Sequence, residues 1–268
     1  MEDALDRIEK QRFDRAFFVS NYFQYSCTTT GSSINAFCKY YNERKLSPNH
    51  NNRTWHLIDR YPTSKLLLGA FRDRIKRVMD ENNLGDDPNT ILIFSAHSIP
   101  LSVMDRGDCY PSEVAATVHG IMKLLNYQHP FRLTWQSKVG PTKWIGPSTE
   151  RCLEQMLEQN NMRENNSKLK FIVVPVTFNC DHIETIHEIN IELRENLEKK
   201  FKNKFEIHCV EAFNASESYI NVMSDQIVKK IDGSLHGQRE QCKQLMMRCP
   251  GCENQKCIDS RKLLSNIL

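Results

Sequence analysis

Apolar residues in this chain alternate between short unbroken runs and longer stretches in which they recur every three or four positions. The runs Trp55–Ile58, Thr90–Ser95, Phe131–Gln136, Lys170–Val176 and Phe205–Val210 read as strands. The stretches Lys65–Glu81, Ser112–Asn126, Thr149–Gln159, the segment after Asp181, and Glu217–Lys230 read as helices. This alternation predicts an α/β fold, a doubly wound and mostly parallel sheet. Ahead of it, residues 1–13 read as a helix, Arg15–Ser20 as a strand and Ile34–Glu43 as a helix. A chain that opens on a helix with a strand behind it enters an α/β domain partway through. Residues 44–54 are polar, with Pro48 and several Asn, and form the best linker. The expected division is therefore 1–50, 51–232 and a cysteine-rich 233–268.

The most distinctive stretch follows the run Phe171–Val176. Asp181 stands where a helix N-cap is expected, and Glu184, Glu188 and Glu192 recur every four residues. That spacing stacks three carboxylates on one helix face and sets Ile183, Ile186, Ile189 and Leu193 on the other. No Lys or Arg lies between Asp181 and Leu193 to neutralise them. Two readings stay open: a solvated acidic face, or a row of oxygen ligands and proton acceptors leading into a cleft.

In doubly wound sheets ligands bind outside the carboxyl ends of the strands. The acidic segment falls there, as does His97 in Ser95-Ala96-His97-Ser98, and so does the loop 137–147 with Trp144. A lone histidine at a strand end is more often structural than a proton acceptor or metal ligand, and only the nearby carboxylates raise the second reading. The Gly140–Pro147 loop is either a rigid connection that buries Trp144 or a cover for a flat apolar ligand or a membrane contact. The hydroxyl-rich Ser26–Ser33 reads as an N-cap region, with anion binding as the alternative.

Composition narrows the classes. Net charge is only +3 over 268 residues, so no global field recruits nucleic acid. No apolar window reaches the length of a membrane span. Met1–Lys10 reads as an acidic amphipathic helix rather than a signal or transit sequence. Cys38, Cys109, Cys152, Cys180 and Cys209 are scattered singly, which suits a reducing compartment. Cys249, Cys252 and Cys257 are different, because their spacing lets three thiolates converge on one centre around a Pro-Gly turn. From spacing alone the centre is zinc, an iron-sulfur cluster or nothing, with a fourth ligand from Cys242 or a distant residue such as Cys27.

Four blocks together resemble the ferrochelatase family, the terminal enzymes of heme synthesis, in its animal type. They are Gln24–Ser33; Phe94–Pro100 with Arg106–Pro111; Trp135–Pro141 with Trp144–Pro147; and Asp181–Thr185. The resemblance implies a chelatase-like fold of two Rossmann-like domains. On it, 1–50 is what remains of the first domain, 51–232 the second, and 233–268 an iron-sulfur extension. It implies an enzyme inserting Fe(II) into protoporphyrin IX to give protoheme. His97 would be the catalytic imidazole and Glu184 its carboxylate partner. Glu188, Glu192 and Asp181 would line the metal or proton path, and Tyr22, Tyr110 and Trp144 the porphyrin pocket. A 2Fe-2S cluster would rest on Cys27, Cys249, Cys252 and Cys257, leaving Cys242 aside. It further implies a homodimer in peripheral contact with the matrix side of the mitochondrial inner membrane, and no nucleic acid.

Two departures from the family pattern are visible. Roughly a hundred family residues before Glu2 have no counterpart here. Ser64-Lys65 replaces a His pair after Pro62-Thr63, and Tyr61 stands where a Trp is usual. The second functional reading is accordingly a non-catalytic chain that keeps the cluster and pairs with full-length ferrochelatase. A zinc hydrolase is disfavoured, because no His-Glu-x-x-His helix is present.

Overall fold

The computed structural model describes residues 2–11, 14–44, 54–162, 167–235, 243–247 and 249–267. These form two compact units: Met1–Tyr61 with Met104–Tyr110 and Met223–Leu268, and Pro62–Val103 with Pro111–Val222. Most of the linker read at 44–54 lies outside the described residues, as does Cys242.

The first unit opens with α1 (Glu2–Glu9), β1 (Arg15–Val19), α2 (Thr30–Glu43) and β2 (Thr54–Ile58). β1 and β2 form a parallel pair in the register Ala16↔Trp55 and Phe18↔Leu57. This corrects the five-strand expectation, because Thr54–Ile58 pairs with Arg15–Val19 and takes no place in the larger sheet. Packing explains the choice: the Trp55 ring meets Phe37 and Tyr41 of α2 at 4.8 and 5.8 Å, and Leu57 is buried in the same core. Edge-on aromatic contacts of this kind add to the burial of large apolar area.

The second unit holds α3 (Lys65–Glu81), β3 (Thr90–His97), α4 (Leu101–Asp105, whose last two residues pass to the first unit) and α5 (Tyr110–Leu124, whose first residue belongs to the first unit). Next come β4 (Phe131–Gln136), α6 (Thr149–Asn161) and β5 (Leu169–Pro175). α7 (Ile183–Ile186), a π-helical turn (Glu188–Glu192), α8 (Leu193–Lys200) and β6 (Phe205–Cys209) complete the sheet's connections. The four strands are all parallel in the order β4-β3-β5-β6. One sheet face, with Ile93, Phe171 and Val173, packs on Leu153 and Leu157 of α6 and Leu193 and Leu197 of α8. Leu92, Phe94, Ile172 and Val174 alternate with these and are also fully buried, so the opposite face is covered too. The strand runs are therefore continuously apolar, as buried parallel strands require.

From β3 the chain steps to β4 on one side, then crosses back to β5 and on to β6 on the other. The direction of winding reverses between β3 and β5, so their adjacent carboxyl ends open a crevice. α9 (Glu217–Leu235) leads back into the first unit, where α10 (Lys243–Met246) and α11 (Gln255–Ile267) follow. α11 packs on α2, with Leu264 and Leu245 joining the core around Ile34 and Phe37.

Candidate active site

His97 is the last residue of β3 and faces the crevice at the switch point. Its backbone N–H donates to the Thr177 hydroxyl at 3.0 Å, from the segment that leaves β5. Its ring Nδ1 lies 2.6 Å from the Ser98 carbonyl. A carbonyl can only accept, so Nδ1 carries the hydrogen, and in the neutral imidazole Nε2 presents a lone pair. Nε2 stands 3.6 Å from Glu184 Oε1, with the two side chains 37% and 30% exposed. An imidazole lone pair and a carboxylate oxygen thus face a common space open to solvent. That space suits a proton or a cation.

The acidic segment is held differently from the expected simple helix. His182, not Asp181, is the N-cap: its Nδ1 accepts from the Glu184 N–H at 3.2 Å, while Thr185 Oγ1 accepts from the His182 N–H at 2.9 Å. Asp181 instead binds across to the β6–α9 loop, accepting from Ala212 N–H at 3.2 Å and Asn214 Nδ2 at 2.7 Å. The even ladder of carboxylates is also corrected. Glu192 N–H donates to the His187 carbonyl five residues back, at 2.9 Å, so the π turn interrupts the spacing between Glu184 and Glu192. Of the four apolar residues, Ile189 and Leu193 are buried as expected, while Ile183 and Ile186 are 73% and 49% exposed.

Glu188 and Glu192 line a cavity of about 290 Å³ together with Gln136, Ser137, Lys138 and Glu150. Its walls are the carboxyl end of β4, the start of α6 and the π turn. The Ser137 hydroxyl donates to Glu188 Oε2 at 2.7 Å, and Gln136 Nε2 donates to the Glu184 carbonyl at 2.7 Å. Ser137 adopts φ +60°, a left-handed conformation uncommon for serine, which turns its hydroxyl toward the carboxylate. His182, Gln136 and Ser137 were not singled out from residue type. All three lie within the blocks that carry the family resemblance, which gives them no individual role.

The ferrochelatase family model matches residues 1–231, well over half of the chain. The chain belongs to the ferrochelatase family. It is similar to the human mitochondrial ferrochelatase, 38% identical over 266 residues that cover 99% of this chain and 59% of the human protein. Against the Drosophila melanogaster mitochondrial ferrochelatase it is 35% identical over 269 residues, 99% of this chain and 66% of that protein. For the Schizosaccharomyces pombe mitochondrial ferrochelatase the figures are 32%, 96% and 57%. The chain thus spans about three fifths of the length of the curated relatives it matches. Its mixed α/β architecture with parallel sheets agrees with this membership.

The residues that family resemblance points to divide between the units. Half-buried Trp144 belongs with His97: their ring centres are 6.5 Å apart, and a bridge between Trp144 and Pro100 fixes the loop beside the strand end. Tyr22 and Tyr110 belong to the first unit, Tyr22 exposed and Tyr110 buried with its N–H donating to Asp108 at 3.0 Å.

Cys27, Cys249, Cys252 and Cys257 all fall in the first unit. The loop 106–108 ties them together: Asp108 accepts from the Cys27 N–H at 2.8 Å, and the Arg106 carbonyl accepts from the Gly251 N–H at 3.0 Å. Gly107, at φ +90°, presses on Pro250 so closely that a Cβ would stand 2.6 Å from its ring. Cys252 N–H closes the turn on the Cys249 carbonyl at 3.0 Å. Burial first, then the hydrogen bond and charge of Asp108 and the charge of Cys249, push the Cys27 thiol up to about 12. Burial, Asp108 and the charges of Cys252 and Cys257 also raise the Cys249 thiol. Cys249 therefore lies within electrostatic reach of Cys27, Cys252 and Cys257. Among the described residues, however, no three His, Cys, Asp or Glu side chains converge closely enough to hold a single metal ion.

Proposed function

We propose that this chain carries the metal-insertion site of a ferrochelatase, placing Fe(II) in protoporphyrin IX to give protoheme. The observation that carries the reading is the His97–Glu184 pair, facing across 3.6 Å at the sheet's switch point in a member of this family. Insertion requires two pyrrole N–H protons to leave and the macrocycle to bend, so that its nitrogen lone pairs meet the incoming ion. His97 Nε2 accepts a pyrrole proton, and the Glu184 carboxylate stabilises the imidazolium that results. Glu188 and Glu192 offer the next oxygens for protons leaving or Fe(II) arriving. Trp144 forms one wall for the porphyrin plane.

Cys27, Cys249, Cys252 and Cys257 would hold a 2Fe-2S cluster, whose donor chemistry four thiolates match. When bound, such a cluster supplies a one-electron centre and a cross-link between Cys27 and the tail. The names of its relatives support a mitochondrial location, and the matrix face of the inner membrane is the finer placement we propose. Peripheral contact with that membrane belongs to the same proposal; no described helix is long and apolar enough to cross a membrane. Pairing, with a second copy or a full-length chain, belongs to the same reading.

Anaerobic Fe(II) addition to protoporphyrin with the purified chain tests this, followed by the porphyrin's absorbance and fluorescence, with His97→Ala as control. Conversion by the wild type and none by the variant is expected. A folded wild-type chain that leaves the porphyrin unmetallated would contradict the catalytic reading and favour a non-catalytic chain that pairs with a full-length one.

A further inference from the structure

We propose that Arg74 is a positioning residue for the His97–Glu184 site, acting through the backbone of residues 211–213 and through Asp181. The guanidinium of this α3 residue spans three successive carbonyls. Nη1 donates to Glu211 O at 3.4 Å and Ala212 O at 3.1 Å, and Nη2 donates to Phe213 O at 3.2 Å. The Phe213 ring lies 4.9 Å from the guanidinium carbon and is held edge-on by Phe71 at 4.6 Å and stacked by Tyr219 at 5.7 Å. Three carbonyl dipoles aimed to one side repel one another unless a donor with several N–H groups answers them, and a planar fork does so where a single ammonium cannot.

The loop so fixed grips Asp181 from both sides. Ala212 N–H and Asn214 Nδ2 each donate to one Asp181 oxygen, and Asp181 N–H donates to Asn214 Oδ1 at 2.8 Å. Asn214 N–H in turn donates to the Asn179 carbonyl at 2.8 Å, and Asn214 takes φ +51°, a conformation asparagine adopts more readily than most residues. The residue after Asp181 is His182, the cap on which the Glu184 backbone rests. A continuous series of contacts thus runs from α3 to the carboxylate partner of His97, all within the second unit. Asp181 has both oxygens engaged in holding the head of the acidic segment, so its part is to aim Glu184. Its charge is also felt at Arg74, where it opposes the lowering that burial causes.

The kinetic consequence rests on the function proposed above, but the structural coupling does not. Hydrogen exchange of the full chain, read by mass spectrometry, tests the coupling in Arg74→Ala, Arg74→Lys and Asp181→Asn. Arg74→Ala is expected to speed exchange about tenfold or more over residues 179–187 and 211–214, with β3 and β5 unchanged. Arg74→Lys is expected to fall short of wild type in the same two segments. It decides the matter if the alanine variant does not fold. Over 179–187, combining Arg74→Ala with Asp181→Asn is expected to add nothing to Asp181→Asn alone. Faster exchange confined to 211–214, or equal acceleration of β3 and β5, would overturn the proposal.

In metallation assays Arg74→Ala should lower kcat about tenfold and leave the porphyrin KM unchanged, the pattern of a displaced catalytic group. An active wild type with an unaltered Arg74→Ala kcat would overturn the positioning role. Local exchange changes in a wild-type chain without metallation would instead sink the functional reading and leave the coupling in place.

Discussion

Much of the site's chemistry rests on hydrogen bonds that decide what each side chain can still offer. The Ser98 carbonyl claims His97 Nδ1–H and so turns the Nε2 lone pair toward Glu184, while His182 spends its Nδ1 on the Glu184 N–H. Ser137 works in the same way on Glu188. Ser137→Gly keeps the left-handed backbone at no steric cost and removes that bond together with the longer one its hydroxyl accepts from Gln136 Nε2 at 3.5 Å, so metallation should slow about fivefold with the thermal midpoint little changed. Steady-state kinetics beside thermal melts check this. His97 and Glu184 were legible from residue type and strand-end position. Ser137 and His182 were not, because what they do follows from φ and cap geometry, which neither residue name specifies.

The acidic segment shows how far periodicity carries at the level of the element. Its place after β5 and the burial of Ile189 and Leu193 followed from the apolar pattern, but the π turn did not. A five-residue hydrogen bond leaves no mark in the spacing of Glu184, Glu188 and Glu192. The strand at 54–58 was likewise legible as a strand, whereas its partner was set by aromatic packing on α2 that no local pattern encodes. Strand ends also carry a testable charge effect, since Lys170 Nζ lies 2.6 Å from Asp87 Oδ2 at the start of β5. The hydrogen bond from Lys170, then that from the Asn89 N–H, holds the Asp87 carboxyl below its usual range. Stabilisation by a depressed carboxyl is complete above the unfolded value near ~4 and is lost as pH falls through the native one. Asp87→Asn should therefore lower stability by about 1 kcal/mol at pH 7, and the deficit should close at an acid pH below the lowered native value. Urea titrations at the two pH values measure it.

Across the whole molecule, two compact units divide the labour. One carries the parallel sheet with His97, Glu184 and the acidic cavity, and the other carries the four cysteines around the loop 106–108. The α/β class and the cysteine spacing were legible at once. The loop 106–108 that brings Cys27 to the tail was not, because it joins residues distant in the chain through Asp108 and a glycine at positive φ. Cys27→Ser should abolish the visible absorption of a reconstituted cluster, as should Cys249→Ser, while Cys180→Ser should leave it intact. An unaltered spectrum for Cys27→Ser would remove that residue from the ligand set.

The central claim is that His97 and Glu184 act as one unit in metal insertion, and a double-mutant cycle on initial rates of anaerobic Fe(II) insertion tests it most directly. His97→Ala and Glu184→Gln should each cost about a hundredfold or more in kcat, and the double variant should be no slower than the worse single one. Costs that multiply in the double variant, or a His97→Ala chain that keeps wild-type turnover, would contradict the account.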